Sequence, residues 1–251
     1  MILRPVLLIL TLFSLMAATP KLVPDVSQRK IDIVYSFTGA ELLLFGAILY
    51  PGGRLPTDRA DVVVVLRGPA EPLTVRKKER LAGIWVNRRS ARFETVPAYF
   101  GVAGSAPVHA IVDDWTATVY ELGINTLQLS PASGNSAQES AEFERGLIEL
   151  RRRAGLYYES PHGVEITEGV LYRARLPLPA RVPVGTYIAQ TFLIQNGNVI
   201  AQARREITID KSGFERFVYV AAQKYPVIYG GTAVLIAVGL GWAAGIAFRR
   251  K

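Results

Sequence analysis

The sequence predicts a mainly β fold that is followed by a C-terminal transmembrane helix, and three observations support this class. Apolar residues alternate with polar ones, or run together over short stretches, between Gly- and Pro-rich segments, which is typical of strands. Asn196 and Gly197 separate two such stretches as a two-residue hairpin turn would, because both turn positions favour positive φ. Residues 226–248 contain no Asp, Glu, Lys, Arg or His and are long enough to cross a bilayer as a helix.

The charge of the chain argues against a nucleic-acid partner. The formal net charge is +8, from 29 Lys and Arg against 21 Asp and Glu, but four of the cations, Arg4, Arg249, Arg250 and Lys251, lie near the termini. The small excess that remains is not the clustered basic face of a nucleic-acid-binding protein. The chain has no cysteine, so disulfides and thiolate metal ligands are excluded and the domain must be stabilised by its core.

The two ends of the chain predict its topology. Residues 1–18 have one cation and then an apolar run, which is the pattern of a secretory signal sequence. Cleavage is expected near Ala17 or Ala18; the alternative is an uncleaved N-terminal anchor, because the small residues that cleavage favours are poorly placed. Three cations at residues 249–251 follow the C-terminal span. The positive-inside rule therefore predicts a cytoplasmic stub there and a domain on the other side of the membrane.

The first part of the domain is predicted to contain strands at residues 30–35, 41–49 and 61–66. The first alternates apolar and polar residues, the second is nearly continuously apolar, and the third contains four consecutive valines. Strands that are apolar on both faces are expected to be central or sandwiched, so residues 62–65 are predicted to form the middle of the core. Further strand signals follow at residues 74–75, 84–86 and 93–102.

A helical insertion is predicted at about residues 108–155. A short helix is expected at residues 113–122. A longer one begins with the capping-box spacing of Ser136 and Glu139 and ends at Gly155, a C-terminal cap. Arg151, Arg152 and Arg153 suit the negative end of its dipole without any further partner. Its predicted apolar face consists of Phe143, Leu147 and Leu150.

Strand patterns return at residues 163–209. Tyr187 follows Val184, Gly185 and Thr186 at the start of the penultimate strand, and this position is similar to the tyrosine corner of immunoglobulin-like sandwiches. The sequence thus predicts that residues 26–210 form an immunoglobulin-like β-sandwich with a small helical insertion.

The C-terminal segment is predicted to couple the domain closely to the membrane. Residues 211–225 have the pattern of a juxtamembrane amphipathic helix, and no flexible linker separates them from the transmembrane helix at residues 226–248. Within the span, Gly241 and Gly245 form a possible helix-helix contact, because small residues four apart let a second helix approach. The alternative is that they have no partner, since glycine is common in membrane helices.

A dense basic cluster surrounds Trp85. One interpretation is a solvated hairpin surface with the tryptophan packed inward. The other is a basic, aromatic-bearing face for anionic lipid headgroups or an acidic partner. The residues of this candidate anionic-surface face are Arg76, Lys77, Lys78, Arg80, Trp85, Arg88, Arg89 and Arg92.

The sequence contains no catalytic constellation. His109, Asp113 and Asp114 match no ligand spacing of zinc sites, and the common nucleotide-binding and hydrolase motifs are absent. We therefore expect no catalytic residue, no cofactor and no metal, and we expect that the protein is not an enzyme.

Four segments of the chain carry a family resemblance: residues 33–46 (IVYSFTGAELLLFG), 63–69 (VVVLRGP), 182–187 (VPVGTY) and 213–219 (GFERFVY). In this order they resemble the putative transmembrane protein family of alphaproteobacteria. The resemblance extends over nearly all of the chain after the signal segment. It implies a Gram-negative inner-membrane protein with one C-terminal span and a periplasmic domain, and it implies no functional residue.

Two functions are compatible with these observations. The first is a membrane-anchored periplasmic accessory or interaction protein of an integral inner-membrane partner such as a transporter, because a closely coupled, glycine-bearing span accompanies an absence of catalytic motifs. The alternative is a periplasmic binding module whose basic face captures an anionic ligand or the lipid surface. The expected partners are thus the lipid bilayer and an integral membrane protein.

Overall fold

The structure, a computed structural model, describes residues 19–33, 39–132, 134, 136–211 and 214–248. The predicted signal segment and the predicted cytoplasmic stub lie outside the described residues. Strands dominate the domain, and the α-helices occupy one insertion and the C-terminal segment. The strands are β1 (Lys21–Val26), β2 (Lys30–Ile33), β3 (Gly39–Leu49), β4 (Asp61–Arg67), β5 (Ala70–Leu81), β6 (Ile84–Pro97), β7 (Phe100–Gly104), β8 (Tyr157–Ser160), β9 (Val164–Thr167), β10 (Leu171–Pro179), β11 (Gly185–Gln195) and β12 (Asn198–Lys211). The α-helices are α1 (Val108–Ile111), α2 (Asp114–Val119), α3 (Ala137–Arg153), α4 (Phe214–Lys224) and α5 (Pro226–Phe248).

The strands form two sheets that pack face to face, together with a separate hairpin. One sheet has the order β1-β3-β10-β9, the other has the order β2-β12-β11-β4-β7-β8, and β5 pairs with β6. The first order is that of strands A, B, E and D in an immunoglobulin-like sandwich, and β12-β11-β4-β7 follows the order G, F, C and C′. Two pairings are parallel, those of β2 with β12 and of β8 with β7. The predicted mainly β fold with a C-terminal helix is confirmed.

Strand β4 forms the centre of the core, as the sequence predicts. Each residue from 62 to 66 is at most 1% exposed. The neighbouring strand β11 shows what covers the two faces of this sheet. On one face the hydroxyl of Tyr172, from the opposite sheet, donates to Thr191 at 3.4 Å. On the other, Phe192 packs edge-on against Tyr120 of the helical insertion, with ring centroids 5.6 Å apart. Because both faces are covered, the central strand carries apolar residues throughout.

The helical insertion between β7 and β8 has the predicted caps. The side chain of Asp113 accepts from Thr116 N at 2.9 Å and begins α2. Ser136 and Glu139 form a reciprocal capping box at the start of α3. Gly155, with φ of 71°, follows the last turn of α3 and allows the chain to reverse direction. The longer predicted helix is confirmed, and the shorter one spans fewer residues than expected.

The predicted apolar face of α3 is only partly correct. Phe143 and Leu147 are buried, but Leu150 is 58% exposed. Arg151 takes the buried position instead, one turn after Leu147, and its Nη2 lies 2.6 Å from Glu71 Oε1 of β5. The expectation that the terminal arginines need only the helix dipole is therefore wrong for Arg151, because a partner strand supplies a carboxylate at that position.

Two local predictions in the last hairpin are confirmed. Asn196 and Gly197, with φ of 50° and 80°, form the two-residue turn between β11 and β12. Tyr187 is fully buried, and its hydroxyl donates to Pro183 O at 2.7 Å, which is the hydrogen bond of a tyrosine corner. Burial raises the pKa of the Tyr187 phenol above its ordinary range.

Helix α4 leads directly into helix α5 in the last described part of the chain. Tyr229 N donates to Tyr225 O at 2.9 Å, so helical hydrogen bonding passes Pro226, which occupies the first position of α5. The predicted helix before the span is confirmed.

Candidate interaction surfaces

The long hairpin, formed by β5 and β6, continues the ladder of two central strands. Gly68 N donates to Tyr99 O at 2.8 Å. Ala98 N donates to Pro69 O at 2.8 Å. The pairing of β4 with β7 therefore runs without a break into the pairing of β5 with β6. Two register shifts bend the hairpin along its length.

Helix α3 lies along one side of the long hairpin, and charged pairs join the two. Lys77 of β5 donates to Glu142 of α3, and Arg89 of β6 lies 3.7 Å from the same carboxylate. The hydrogen bond from Lys77 and its charge hold the pKa of Glu142 below its ordinary value. The hydrogen bond from Arg89 to Glu79 raises the pKa of the Arg89 guanidinium. These acidic partners neutralise the cations on this side of the hairpin.

The eight residues of the predicted anionic-surface face all lie on the long hairpin, but not on one side of it. Strand alternation places Lys77 and Arg89, which are directly opposite each other, on the side of α3. Arg88 lies beside a register shift, 3.5 Å from Glu79. The predicted face is thus divided between the two sides. The members on the side away from α3 are Arg76, Lys78, Arg80, Trp85 and Arg92.

We name Arg76, Lys78 and Arg80 the cationic strip. The three exposed side chains occupy successive outward positions of β5. No carboxylate among the described residues pairs with any of the three, whereas Arg92 on the same side lies 3.1 Å from Glu94. The strip can therefore attract an anion without first breaking an ion pair.

The end of the long hairpin, which we name the apolar tip, exposes large apolar side chains around a tight turn. Ala82 and Gly83 form the turn, with φ of 47° and 85°. Leu81 and Ile84 flank it opposite each other and are 59% and 68% exposed, and Trp85 is 66% exposed. The interpretation in which Trp85 packs inward is wrong, because no second layer of the described chain covers this part of the hairpin.

Sequence reasoning did not single out Leu81 and Ile84. Ile84 belongs to the strand predicted at residues 84–86, and Leu81 lies outside every predicted strand. The sequence signal that could have identified the tip is the pair of apolar residues, Leu81 and Ile84, close to Gly83.

The outer face of the smaller sheet carries a second exposed surface. We name Val23, Phe45, Leu49 and Leu171 the apolar sheet face, and they are 37 to 52% exposed. Val23 and Leu171 lie on either side of Ala47 in the pairing of β1, β3 and β10. Strand β3 is central in its sheet, between β1 and β10, as one of the two expected placements for a nearly continuously apolar strand. It is not sandwiched, because the described chain puts no layer outside it. Contiguous exposed apolar residues on a sheet indicate an interaction surface.

The predicted helix-helix contact residues lie on an open part of α5. A Cβ built at Gly241 or Gly245 would meet no described atom within 4 Å. The apolar stretch Pro226–Ile246 is 0% buried. The helix-helix contact at Gly241 and Gly245 therefore stays a prediction. The surface of α5 around these glycines is open to a second helix in the described structure.

The remaining polar candidates are explained by local structure. Hydrogen bonds from Thr116 lower the pKa of Asp113, consistent with its role as the cap of α2. His109 lies exposed on α1. Within the described ranges, no three His, Asp or Glu residues are close enough together to hold a metal ion.

These observations define a class of protein, a mainly β domain attached to a membrane by one C-terminal helix. Of the described helices, only α5 is long and apolar enough to cross a bilayer. The chain belongs to the family described as Putative transmembrane protein (Alph_Pro_TM), which it matches over residues 21–250. The resemblance seen in the sequence is thereby confirmed, and membrane anchoring agrees with it.

Curated proteins and solved structures give no information on the function of this chain. No curated protein matches the chain. Among solved structures, the chain is similar to the crystal structure of Spo0M, sporulation control protein, from Bacillus subtilis, with 11% sequence identity and a TM-score of 0.29. The similarity covers 82% of this chain, which spans 56% of the Spo0M chain. A likeness this distant defines neither the fold nor the function.

Proposed function

We propose that this protein is a non-enzymatic accessory protein of the bacterial inner membrane, with its domain in the periplasm, and that it binds an integral membrane partner such as a transporter. The observation that carries the proposal is the apolar sheet face on a domain that one helix attaches to the bilayer. A water-facing antiparallel sheet normally has polar residues on its outer side, so this face favours a protein partner.

The surroundings of the apolar sheet face also favour a protein interface. Asp25 and Arg173 lie on either side of Phe45 in the neighbouring cross-strand row. An apolar centre with charged residues around it is the usual composition of a protein-protein interface. The charged residues would determine which partner fits.

The short connection to the membrane limits where the partner can be. Helix α4 begins three residues after β12 ends at Lys211, and helical hydrogen bonding continues across Pro226 into the span. A domain held this close to the bilayer meets membrane proteins at a high effective concentration. An integral membrane protein is therefore the partner class that the connection favours.

The proposal is tested by purifying the tagged full chain from its native membranes in detergent. We compare the parent with Phe45→Lys and Leu171→Lys. A stoichiometric membrane protein should accompany the parent and be lost from both variants, because a lysine at the centre of an apolar interface must be desolvated. The matched control Trp115→Lys changes a side chain that is 71% exposed on α2 and should retain the partner.

The span is tested in the same purification. Replacing both Gly241 and Gly245 with Leu keeps the helix apolar, so insertion should persist while a close helix-helix contact is lost. A parent chain that purifies without a partner contradicts the proposal. So does a partner that stays bound to the charged sheet variants and to the double leucine variant alike.

A second candidate function is the binding of an anionic ligand or a lipid surface by the long hairpin. The observation that favours it is the cationic strip, whose three cations lack a carboxylate partner in the described part of the chain. This function requires no protein partner.

A further inference from the structure

We propose that the apolar tip of the long hairpin inserts into the headgroup layer of the membrane that holds α5, and that the cationic strip there binds anionic phospholipid. This inference rests on the second candidate function and deepens it, because it names the ligand class and the contact. It holds whether or not a protein partner exists.

Two tight turns of the domain have the same backbone geometry but opposite polarity, and a third, at Glu168 and Gly169, also has a polar side chain. At Asn196 and Gly197 the turn is polar, and Asn196 Nδ2 donates to Asp58 Oδ2 at 3.1 Å. At Ala82 and Gly83 the φ angles are nearly the same, but neither turn residue has a polar side chain. Turns of this type in water favour Asn or Asp before Gly. An Ala-Gly turn flanked by exposed Leu and Ile therefore indicates an environment less polar than water.

The apolar turn and the membrane anchor leave the sandwich at the same end. Strand β11 begins beside Ile209, close to where β12 finishes, and it ends at the polar turn. Strand β4 is antiparallel to β11, so its last residue, Arg67, lies at the end where β12 finishes. The long hairpin continues from Arg67, and α4 follows three residues after Lys211. The polar turn lies at the opposite end.

The long hairpin is long enough to reach the bilayer. At about 3.3 Å per residue, the stretch from Arg67 to Leu81 spans up to about 45 Å, reduced somewhat by its two bends. Helix α4 has 11 residues, which at about 1.5 Å per residue is about 16 Å of helix. The tip can therefore reach the headgroups even if α4 stands upright, and more easily if α4 lies along the surface.

The order of side chains along the hairpin suits a membrane interface. Leu81 and Ile84 at the end offer apolar area to the acyl boundary, and the ring of Trp85 prefers the headgroup layer. The cationic strip follows along β5 at increasing distance from the turn. Its cations would meet lipid phosphates, and each cation near an anionic surface strengthens binding by about fivefold. Charge and apolar area thus favour the same ligand.

The test uses the full chain reconstituted in vesicles of phosphatidylcholine with phosphatidylglycerol as the minority anionic lipid. The chain has 3 tryptophans, so Trp115→Phe with Trp242→Phe leaves Trp85 as the one remaining indole. Phosphatidylcholine brominated on its acyl chains should quench the Trp85 emission strongly, and aqueous acrylamide should quench it weakly. The matched control keeps Trp115 instead, which is 71% exposed on α2, and should show the reverse.

Two further variants separate charge from apolar area. Replacing Arg76, Lys78 and Arg80 with Gln should remove most of the quenching by brominated lipid, as should vesicles without phosphatidylglycerol. Replacing Leu81 and Ile84 with Ser should remove it although the cationic strip is intact. All five side chains are exposed, and circular dichroism checks that each variant is folded.

Equal acrylamide quenching of Trp85 and Trp115, with no effect of brominated lipid on either, would overturn the inference. Inorganic phosphate is also added to the detergent-solubilised chain. This measurement distinguishes a failure of membrane insertion from a failure of anion binding, the second candidate function. A change of Trp85 emission with phosphate, without contact to brominated lipid, would reject insertion and leave anion binding standing.

Discussion

Two glycines with different backbone conformations show how single residues set the stability of this fold. Gly197 occupies the turn after β11 with φ of 80°, while Gly146 lies within α3. A Cβ added at either position meets nothing within 4 Å in the described chain. A methyl group therefore has space at both, and the backbone conformation decides its effect.

The same substitution should have opposite effects at these two positions. Gly197→Ala should destabilise the domain by about 1 kcal/mol, because an L-residue resists the left-handed conformation. Gly146→Ala should stabilise it by roughly 0.5–1 kcal/mol, because alanine restricts the unfolded chain and suits a helix. Thermal unfolding of the full chain in detergent, followed by circular dichroism, measures both. Stabilisation by Gly197→Ala would contradict the turn.

At the scale of elements, α3 and the long hairpin are joined by charge as well as by apolar packing. Phe143 and Leu147 are the buried apolar residues of α3, and Glu142 beside them pairs with Lys77 and Arg89 on the two strands. The same helix therefore covers one side of the hairpin and neutralises its cations, which leaves the other side as the cationic strip.

This contact should weaken in acid. Lys77, through a hydrogen bond and its charge, and Arg89 lower the pKa of Glu142 from its ordinary value of 4.5. A carboxyl whose pKa is lowered by folding adds stability above the unfolded pKa, and this stability is lost as the pH falls through the folded pKa. The melting temperature of the parent should therefore exceed that of Glu142→Gln at neutral pH.

The pH dependence of that difference is the decisive measurement. The difference in melting temperature between the parent and Glu142→Gln should be fully present at neutral pH. It should shrink as the pH falls below about 4.5, because the parent carboxyl then becomes neutral like the glutamine amide. A difference that persists unchanged in acid would show that Glu142 acts through packing and not through its charge.

At the scale of the whole molecule, the orientation of the chain decides on which side of the membrane both candidate surfaces lie. The cations at residues 249–251 follow an apolar span, and cations beside a span favour the cytoplasmic side. The domain would then lie in the periplasm together with both candidate surfaces.

Orientation is tested with a reporter enzyme that is active only in the periplasm. Inserted at Gly197, it should be active, because this exposed turn is open around the glycine and hairpin turns tolerate insertions. Fused after Lys251, it should be inactive. Activity only in the second fusion would reverse the orientation and place the domain in the cytoplasm.

Much of the fold could be predicted from the sequence where its signals are local. The capping box of Ser136 and Glu139, the turn at Gly197 and the corner at Tyr187 are each formed by residues within a few positions of one another. Whether Leu150 or Arg151 of α3 is buried does not depend on local sequence alone. Neighbouring residues differ by only about 100° around a helix, so the position of β5 decided which of the two is buried.

The sequence by itself determined the membrane anchor, the central valine strand and the presence of a basic cluster, because each depends on the composition of one continuous stretch. Only the tertiary structure decided which faces are covered. It left the outer side of β3 open, divided the basic cluster between two sides of one hairpin, and placed the apolar tip at the same end as the anchor. These features arise from pairing between segments far apart in the chain, which local periodicity does not specify.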